Sequence, residues 1–112
     1  MTDKITYEDF SKLDLRIGQI KKAEPHPNAD KLLVLTVDLG EEKERIIVAG
    51  LAQHYKPEEL KNKKAVFVAN LKPATLRGIE SNGMILAGVS DNKEEIKILS
   101  IDKNIPAGTK VS

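Results

Sequence analysis

The residues whose chemistry stands out are two bases in a polar connection. Lys72 and Arg77 lie within residues 70–88, a segment with a single acid that contains a strongly polar stretch between two apolar runs. Their cationic side chains can neutralise phosphates, and the neighbouring Asn70 and Ser81 can form hydrogen bonds. The segment therefore predicts a surface that contacts an anionic, polar partner. The alternative interpretation is a solvated connection between two core strands.

Catalytic chemistry has little support in the sequence. The chain holds two histidines and no cysteine. His26 and Asp30 would supply two zinc ligands without a third nearby, which makes a poor zinc site. Neither a Gly-x-Ser-x-Gly nucleophile elbow nor a glycine-rich phosphate loop followed by Lys-Ser/Thr occurs. We therefore predict a binding module that is not an enzyme, with no cofactor and no metal site.

The aromatic content separates two modes of RNA binding. The chain has two Tyr, two Phe and no Trp. Proteins that bind single strands without sequence preference stack the bases on aromatic side chains. A folded RNA, in contrast, is read through its phosphates and 2′-hydroxyl groups. The scarcity of aromatic residues therefore favours a folded RNA as partner.

Length and composition describe one globular domain over residues 1–112. That length fits a single core, and 40% apolar with 31% charged residues is typical of a folded protein. No apolar run reaches the roughly 18 residues that span a bilayer, and no signal peptide precedes the first element. We therefore predict a cytoplasmic protein that is not embedded in a membrane.

The charge distribution is uneven although the formal net charge is only +1. Residues 61–78 carry five bases and no acid, whereas residues 40–44 and 91–95 are rich in acids. Segregated charge can present a basic face to a phosphate backbone. The alternative is a mixed surface on which the segregation disappears after folding.

The first twelve residues predict a short helix. Thr6 precedes Tyr7 and Phe10, which lie at helical spacing, and Thr6 is a favourable N-terminal cap. A helix of one or two turns is unstable alone, so its apolar face must pack on something. It packs either on its own domain or, with Ile5, Tyr7 and Phe10, on a partner subunit.

Alternating apolar residues predict five strands across residues 13–90, followed by a C-terminal extension over residues 91–112. The alternation slips by one residue at Gly18, which predicts a β-bulge there and a long, bent first strand. Pro57 predicts a short helix between the third and fourth strands. This order of elements is that of an all-β OB-fold, a five-stranded Greek-key barrel with N- and C-terminal extensions.

Five spaced motifs resemble one known family. They are Asp14-Leu15-Arg16-Ile17-Gly18, His26-Pro27-Asn28-Ala29-Asp30-Lys31-Leu32, Ile47-Val48-Ala49-Gly50-Leu51, Asn70-Leu71-Lys72-Pro73 and Arg77-Gly78-Ile79-Glu80-Ser81-Asn82-Gly83-Met84. Together they resemble the tRNA-binding domain family. That family includes the C-terminal domain or β subunit of methionyl-tRNA synthetases, free-standing tRNA-binding proteins and the C-terminal part of endothelial monocyte-activating polypeptide.

The resemblance implies shape-specific binding of folded tRNA, either by a free-standing protein or by a part of methionyl-tRNA synthetase. A tethered module raises tRNA affinity through effective concentration, so the synthetase catalytic subunit is an implied partner. The resemblance also implies a homodimer whose terminal extensions build the interface. The family's RNA-facing positions correspond here to six residues: Lys31, Asn70, Lys72, Arg77, Ser81 and Met84.

Two of these positions have structural alternatives, since Asn70 can cap a strand end and Met84 can be a core residue that opens the fifth strand. Two alternative functions also stay open. A dimeric secretion chaperone shares this type of fold and binds unfolded polypeptide. An assembly domain that holds synthetases together is the other.

Overall fold

The computed structural model describes residues 3–112. Within that range, two short helices and ten strands follow one another: α1 (Tyr7–Ser11), β1 (Leu15–Pro25), β2 (Leu33–Asp38), β3 (Arg45–Ala49), α2 (Pro57–Leu60), β4 (Lys64–Val68), β5 (Ala74–Leu76), β6 (Ile79–Ser81), β7 (Met84–Ile85), β8 (Ala87–Val89), β9 (Ile96–Ile98) and β10 (Lys110–Val111). Strands dominate, and the two predicted helices are present.

Five of the strands form the barrel. Their hydrogen-bonded order is β3-β2-β1-β4-β7. The long strand β1 pairs with β4 along its first half and with β2 along its second half, so it belongs to both sides of the barrel. The barrel closes where the backbone N–H of Asn82 donates to the carbonyl of Ile46 over 2.8 Å. The predicted OB-fold is confirmed.

The core follows from the alternation in the strands. In β2, Leu33, Leu35 and Val37 are buried while the residues between them are half-buried, because successive side chains of a strand point to opposite faces. Phe67 from β4 is fully buried among them. Leu60, at the end of α2, is the one buried residue of that helix and joins the same core.

The predicted bulge lies at Lys21 rather than at Gly18. The pairing of β1 with β2 shifts between Ile20 and Lys22, whereas the pairing with β4 runs through Gly18 without interruption. Gly18 serves close packing instead. A Cβ atom at that position would lie 2.7 Å from side-chain atoms of both Leu39 and Phe67, so any other residue would force these core side chains to shift.

Two other expectations about the strands also change. The connection after β4 contains a hairpin formed by β5 and β6, which pair with each other and not with the barrel sheet. The predicted fifth strand divides into β7 and β8 because the two halves take different partners. β7 pairs with β4, whereas β8 pairs with β9.

The N-terminal helix is largely exposed, whereas the C-terminal segment pairs with the barrel. The side chain of Thr6 accepts a 3.1 Å hydrogen bond from the N–H of Asp9, so the predicted helix cap is confirmed. Ile5 and Tyr7 remain exposed on the chain, and Phe10 is half-buried. At the other end, β10 pairs with the first residues of β1, and the N–H of Gly108 donates to the carbonyl of Ile17 over 2.7 Å.

Candidate nucleic-acid interface

Two loops carry the predicted contact residues. Residues 26–32 connect β1 to β2, and residues 69–83 connect β4 to β7. In OB-folds the loops in these two positions are the ones that bind oligonucleotides, together with the face of the second and third strands. The first loop carries Lys31, and the second carries Lys72 and Arg77. All three side chains belong to exposed residues.

The structure brings the two loops together. Lys31 and Arg77 line one open concave surface of about 420 Å³, together with Ala29, Asp30 and Leu32. The two bases are 46 positions apart in sequence, and folding alone makes them neighbours. Asp30 is the acid on this surface. A concave wall with cations from two sides can hold a convex, negatively charged backbone.

Arg77 occupies the tip of the β5–β6 hairpin. Leu76 pairs with Ile79, so Arg77 and Gly78 form a two-residue turn. Both have positive φ angles, 52° and 92°, as in the type I′ turns that suit the twist of a hairpin. Glycine adopts such angles freely, whereas arginine does so at a cost. The turn holds the guanidinium at an exposed end of the molecule.

Lys72 lies at the base of the same hairpin. The following Pro73 separates it from β5, and both residues are exposed. Among residues 3–112, none of the ion pairs involves Lys31, Lys72 or Arg77. Their positive charges are therefore available to an external anion.

Two other arginines are already paired. Nε of Arg16 lies 3.0 Å from a carboxylate oxygen of Asp14, and this hydrogen bond holds the pKa of Asp14 below its usual range. Arg45 donates to both carboxylate oxygens of Glu41 over 2.8 Å, which lowers the pKa of Glu41. These arginines stabilise the fold and have less charge to offer to phosphates than the unpaired bases.

Ser81 is placed differently from the prediction, since its side chain is buried at 4% exposure. Its hydroxyl accepts a 2.9 Å hydrogen bond from the N–H of Val48 and donates to the carbonyl of Gly83 over 3.1 Å. A hydroxyl that both donates and accepts within the protein has little left for RNA. The hydroxyl thus has a structural role between β3 and β6, and the RNA contact of Ser81 stays a prediction.

Asn70 also uses its side chain internally. Its Oδ1 accepts a 2.8 Å hydrogen bond from the N–H of Asp14, and its Nδ2 donates to the carbonyl of Lys12 over 2.6 Å. The amide therefore ties the end of β4 to the segment between α1 and β1. These bonds fit the alternative role of Asn70 at a strand end, while its RNA contact stays a prediction.

Met84 is exposed at 45%, so the alternative that made it a core residue is wrong. Its side chain lines an open groove of about 320 Å³ on the barrel surface. The other lining residues are mostly apolar: Val48, Ala49, Gly50, Leu51, Ile85, Ala87, Val89 and Ile96. The groove offers an apolar contact to a partner.

His26 lies in the first of the two loops, and the sequence did not reveal its contacts. Its ring is buried at 5% exposure. Nδ1 accepts a 2.9 Å hydrogen bond from the N–H of Asn28, and Nε2 lies 3.0 Å from the carbonyl oxygen of Leu76 in the hairpin. Because a carbonyl only accepts, Nε2 carries the proton and donates. The flanking prolines mark this loop as rigid, but no local pattern points to Leu76 as the partner.

The described residues offer no other recognised chemistry. Across residues 3–112, no group of three or more His, Asp or Glu could hold a metal ion. No helix in the same part of the chain is long and apolar enough to cross a membrane.

The barrel, the paired loops and their unpaired cations define an OB-type nucleic-acid-binding module. Comparison with known families makes the class specific, because the tRNA-binding domain family matches residues 15–110. The chain belongs to this family, which is defined by a binding domain rather than by a catalytic one.

Curated relatives place the domain within larger enzymes. The chain is 56% identical over 108 residues to the methionine–tRNA ligase of Thermotoga maritima and 53% identical over 107 residues to that of Pyrococcus horikoshii. Each alignment covers 96% of this chain, but only 17% and 14% of the respective ligase. The chain therefore corresponds to one module of these ligases.

Two solved structures resemble the whole domain. A MetRS-related protein from Pyrococcus horikoshii superposes with a TM-score of 0.92 at 35% identity, covering 99% of this chain and 100% of the other. The chaperone CsaA from Bacillus anthracis superposes with a TM-score of 0.87 at 33% identity, covering 98% and 100%. The same fold thus occurs in a protein named for its relation to MetRS and in one named as a chaperone.

Proposed function

We propose that this domain binds folded tRNA through the two loops at one end of the barrel. The observation that carries the proposal is the shared concave surface of Lys31 and Arg77, which come from different loops and form no ion pair within residues 3–112. Lys72 adds a third cation at the base of the hairpin. Met84 supplies an apolar contact from the groove on the barrel surface.

The mechanism is electrostatic and depends on shape. Lys31 and Arg77 neutralise phosphates from two sides of one surface, so they favour a backbone whose curvature presents phosphates to both. Few aromatic residues are present for base stacking, which leaves a single strand with weaker contacts. A compact tRNA surface therefore binds more tightly than an extended strand of equal charge.

The test is an equilibrium titration of the protein with intact folded tRNA, the same tRNA thermally denatured, and a single-stranded RNA of equal length. Lys72→Ala and Arg77→Ala are measured beside the wild type, with Lys103→Ala as the control. Lys103 lines a different concavity, together with Gln19 and Lys64. We expect preference for folded tRNA that weakens in the two test variants and persists in the control.

Equal affinity for all three RNAs would reduce the domain to a general polyanion binder. Absence of tRNA binding would contradict the proposal and favour the second candidate function. That candidate is capture of unfolded polypeptide, supported by the likeness to CsaA and by the apolar groove around Met84. Peptide capture would be established if the protein bound a peptide array more strongly than folded tRNA and if Met84→Ser weakened that binding.

We further propose that the domain acts as a homodimer in the cytoplasm and assists a methionyl-tRNA synthetase, either linked to it or associated with it. Exposure of Ile5 and Tyr7 supports the dimer, because these apolar side chains lack cover within the chain. Sedimentation velocity should show a dimer that dissociates more readily in Tyr7→Ser. A monomer at every concentration would contradict this part of the proposal.

Association with the catalytic subunit has its own test. Pull-down of the synthetase should persist after RNase treatment if the two proteins contact each other directly. Loss of the synthetase on RNase treatment would mean that tRNA alone connects them, and would exclude an assembly domain as the primary role.

A further inference from the structure

We propose that His26 is a positioning residue that holds the two RNA-contacting loops in register. This inference rests on the proposed function. It concerns a buried side chain that makes no RNA contact itself, since only 5% of the residue is exposed. Its effect on binding therefore passes through the residues that it arranges.

The imidazole makes one hydrogen bond within its own loop and one across to the other loop. The N–H of Asn28 donates to Nδ1 over 2.9 Å, and Nε2 donates to the carbonyl of Leu76 over 3.0 Å. Only the neutral ring with its proton on Nε2 can make both bonds, because one nitrogen must accept and the other must donate. The geometry thus requires one tautomer.

The two bonded positions adjoin the cations of the proposed site. Leu76 directly precedes Arg77, so the carbonyl that His26 binds belongs to the peptide unit that ends at the Arg77 nitrogen. Asn28 lies in the short loop that ends at Lys31 and Leu32. The N–H of His26 itself donates to the carbonyl of Leu32 over 3.0 Å, which joins the two ends of this loop.

The benefit to binding is preorganisation. The β5–β6 hairpin forms no ladder with the barrel sheet, and the bond of Ser81 to Val48 ties the base of the hairpin, so the tip needs a further tie to fix its direction. A hairpin tip that moves freely must be ordered when RNA binds, and that ordering lowers affinity. By holding Leu76, His26 keeps Arg77 on the same concave surface as Lys31 before any RNA arrives.

Two conservative substitutions separate the two hydrogen bonds. In His26→Asn, the side-chain oxygen can still accept from the N–H of residue 28, as in an Asx-turn, but the side chain is too short to reach Leu76. In His26→Gln, the amide nitrogen takes the place of Nε2 and can donate to Leu76, while the bond within the loop is lost. The two variants therefore report separately on the local bond and on the bond between loops.

We expect His26→Asn to bind folded tRNA about 3- to 10-fold more weakly than the wild type, and His26→Gln to stay within about 3-fold. A double-mutant cycle then tests the route of the effect. If His26 acts through Arg77, the loss caused by His26→Asn largely disappears in an Arg77→Ala background. Wild-type affinity in His26→Asn, or losses that add fully in the double variant, would overturn the inference.

A measurement on the wild type keeps the inference testable if the variants fail to fold. Nitrogen-15 NMR of the imidazole should show a single neutral tautomer protonated on Nε2, with a slowly exchanging ring proton, both without RNA and with folded tRNA. A mixed tautomer or a rapidly exchanging ring proton would refute the bond between loops. If the wild type binds no tRNA, the proposed function fails, while the ring signals still decide whether the loops are connected.

Discussion

The side-chain hydroxyl of Ser81 accepts a hydrogen bond from the backbone N–H of Val48, 33 positions earlier in the chain, over 2.9 Å. The Ser81 hydroxyl thereby accepts the hydrogen bond that a backbone carbonyl would accept if β3 and β6 were paired strands. Together with the bond from the N–H of Asn82 to the carbonyl of Ile46, it closes the barrel beside the proposed RNA surface.

Replacing Ser81 with alanine should reduce stability more than RNA binding. The substitution leaves the buried N–H of Val48 without a partner, which costs about 1–3 kcal/mol of the free energy of unfolding. Urea denaturation measures this loss. Thr75→Ala removes an exposed hydroxyl from the same hairpin and should change stability by less than about 0.5 kcal/mol. Unchanged stability with reduced tRNA affinity in Ser81→Ala would instead support Ser81 as an RNA contact.

Arg77→Asn should separate stability from binding. Arg77 has a φ angle of 52°, a conformation that asparagine tolerates better than other side chains with a Cβ atom. The free energy of unfolding should therefore hold or rise by up to about 1 kcal/mol, while affinity for folded tRNA falls with the lost charge. Urea denaturation and tRNA titration of one preparation measure both. A parallel fall in stability and affinity would show that the arginine supports the hairpin itself.

The affinity for tRNA should depend steeply on salt. Each neutralised phosphate contributes roughly −0.7 to −0.9 to the slope of log K against log salt concentration, so Lys31, Lys72 and Arg77 together give a slope of about −2 to −3. Removing any one of these bases should make the slope shallower by about 0.7 to 0.9. Lys103→Ala is the matched control and should leave the slope unchanged. A flat salt dependence in the wild type would exclude phosphate neutralisation.

Asn70→Ala should loosen the N-terminal segment. The amide of Asn70 bonds to backbone atoms of both Lys12 and Asp14, and the loss of these bonds should lower the free energy of unfolding by about 1–2 kcal/mol. Asn70→Asp keeps the acceptor for Asp14 and loses the donor to Lys12, so its loss should be smaller. Urea denaturation ranks the three proteins. Equal stability of all three would show that the connection contributes nothing.

Acid should weaken the domain through two carboxylates. Arginine hydrogen bonds lower the folded-state pKa of Asp14 and of Glu41. The stability that they add is therefore fully present above the unfolded-state pKa, near about 4, and is lost as the pH falls through the folded-state values. The free energy of unfolding, measured by urea denaturation from about pH 6 down to about pH 2, should fall less steeply in Glu41→Gln than in the wild type. An identical pH profile would contradict this linkage.

The barrel could be predicted because its strands follow local rules. The alternation of Leu33, Leu35 and Val37 follows from the burial of one face of β2. The order of the strands, with one short helix between the third and the fourth, identified the OB-fold. The family motifs also singled out Lys31, Lys72 and Arg77, whose side chains the structure leaves exposed.

The remaining features depend on partners distant in sequence. Ile17 and Gly18 are both buried: Gly18 faces the side chains of Leu39 and Phe67, and the backbone of Ile17 is hydrogen-bonded to the segment around Gly108. The one-residue slip in the apolar alternation therefore suggested a bulge at Gly18, whereas the bulge lies elsewhere. The hairpin was missed because its two three-residue strands are largely exposed and show no apolar alternation. The hydrogen bonds of His26 and Ser81 could not be predicted for a common reason, since their partners lie 50 and 33 positions away.

The pairing of β10 with the first residues of β1 also has a kinetic consequence. Leu15 lies opposite Val111, so the sheet joins residues separated by almost the whole length of the chain. Contacts of such long range form late, because the entropy of closing the intervening loop must be overcome first. During synthesis, β1 cannot acquire its last neighbour until residue 111 has left the ribosome. The domain should therefore complete its fold only once residue 111 has emerged, in milliseconds to seconds.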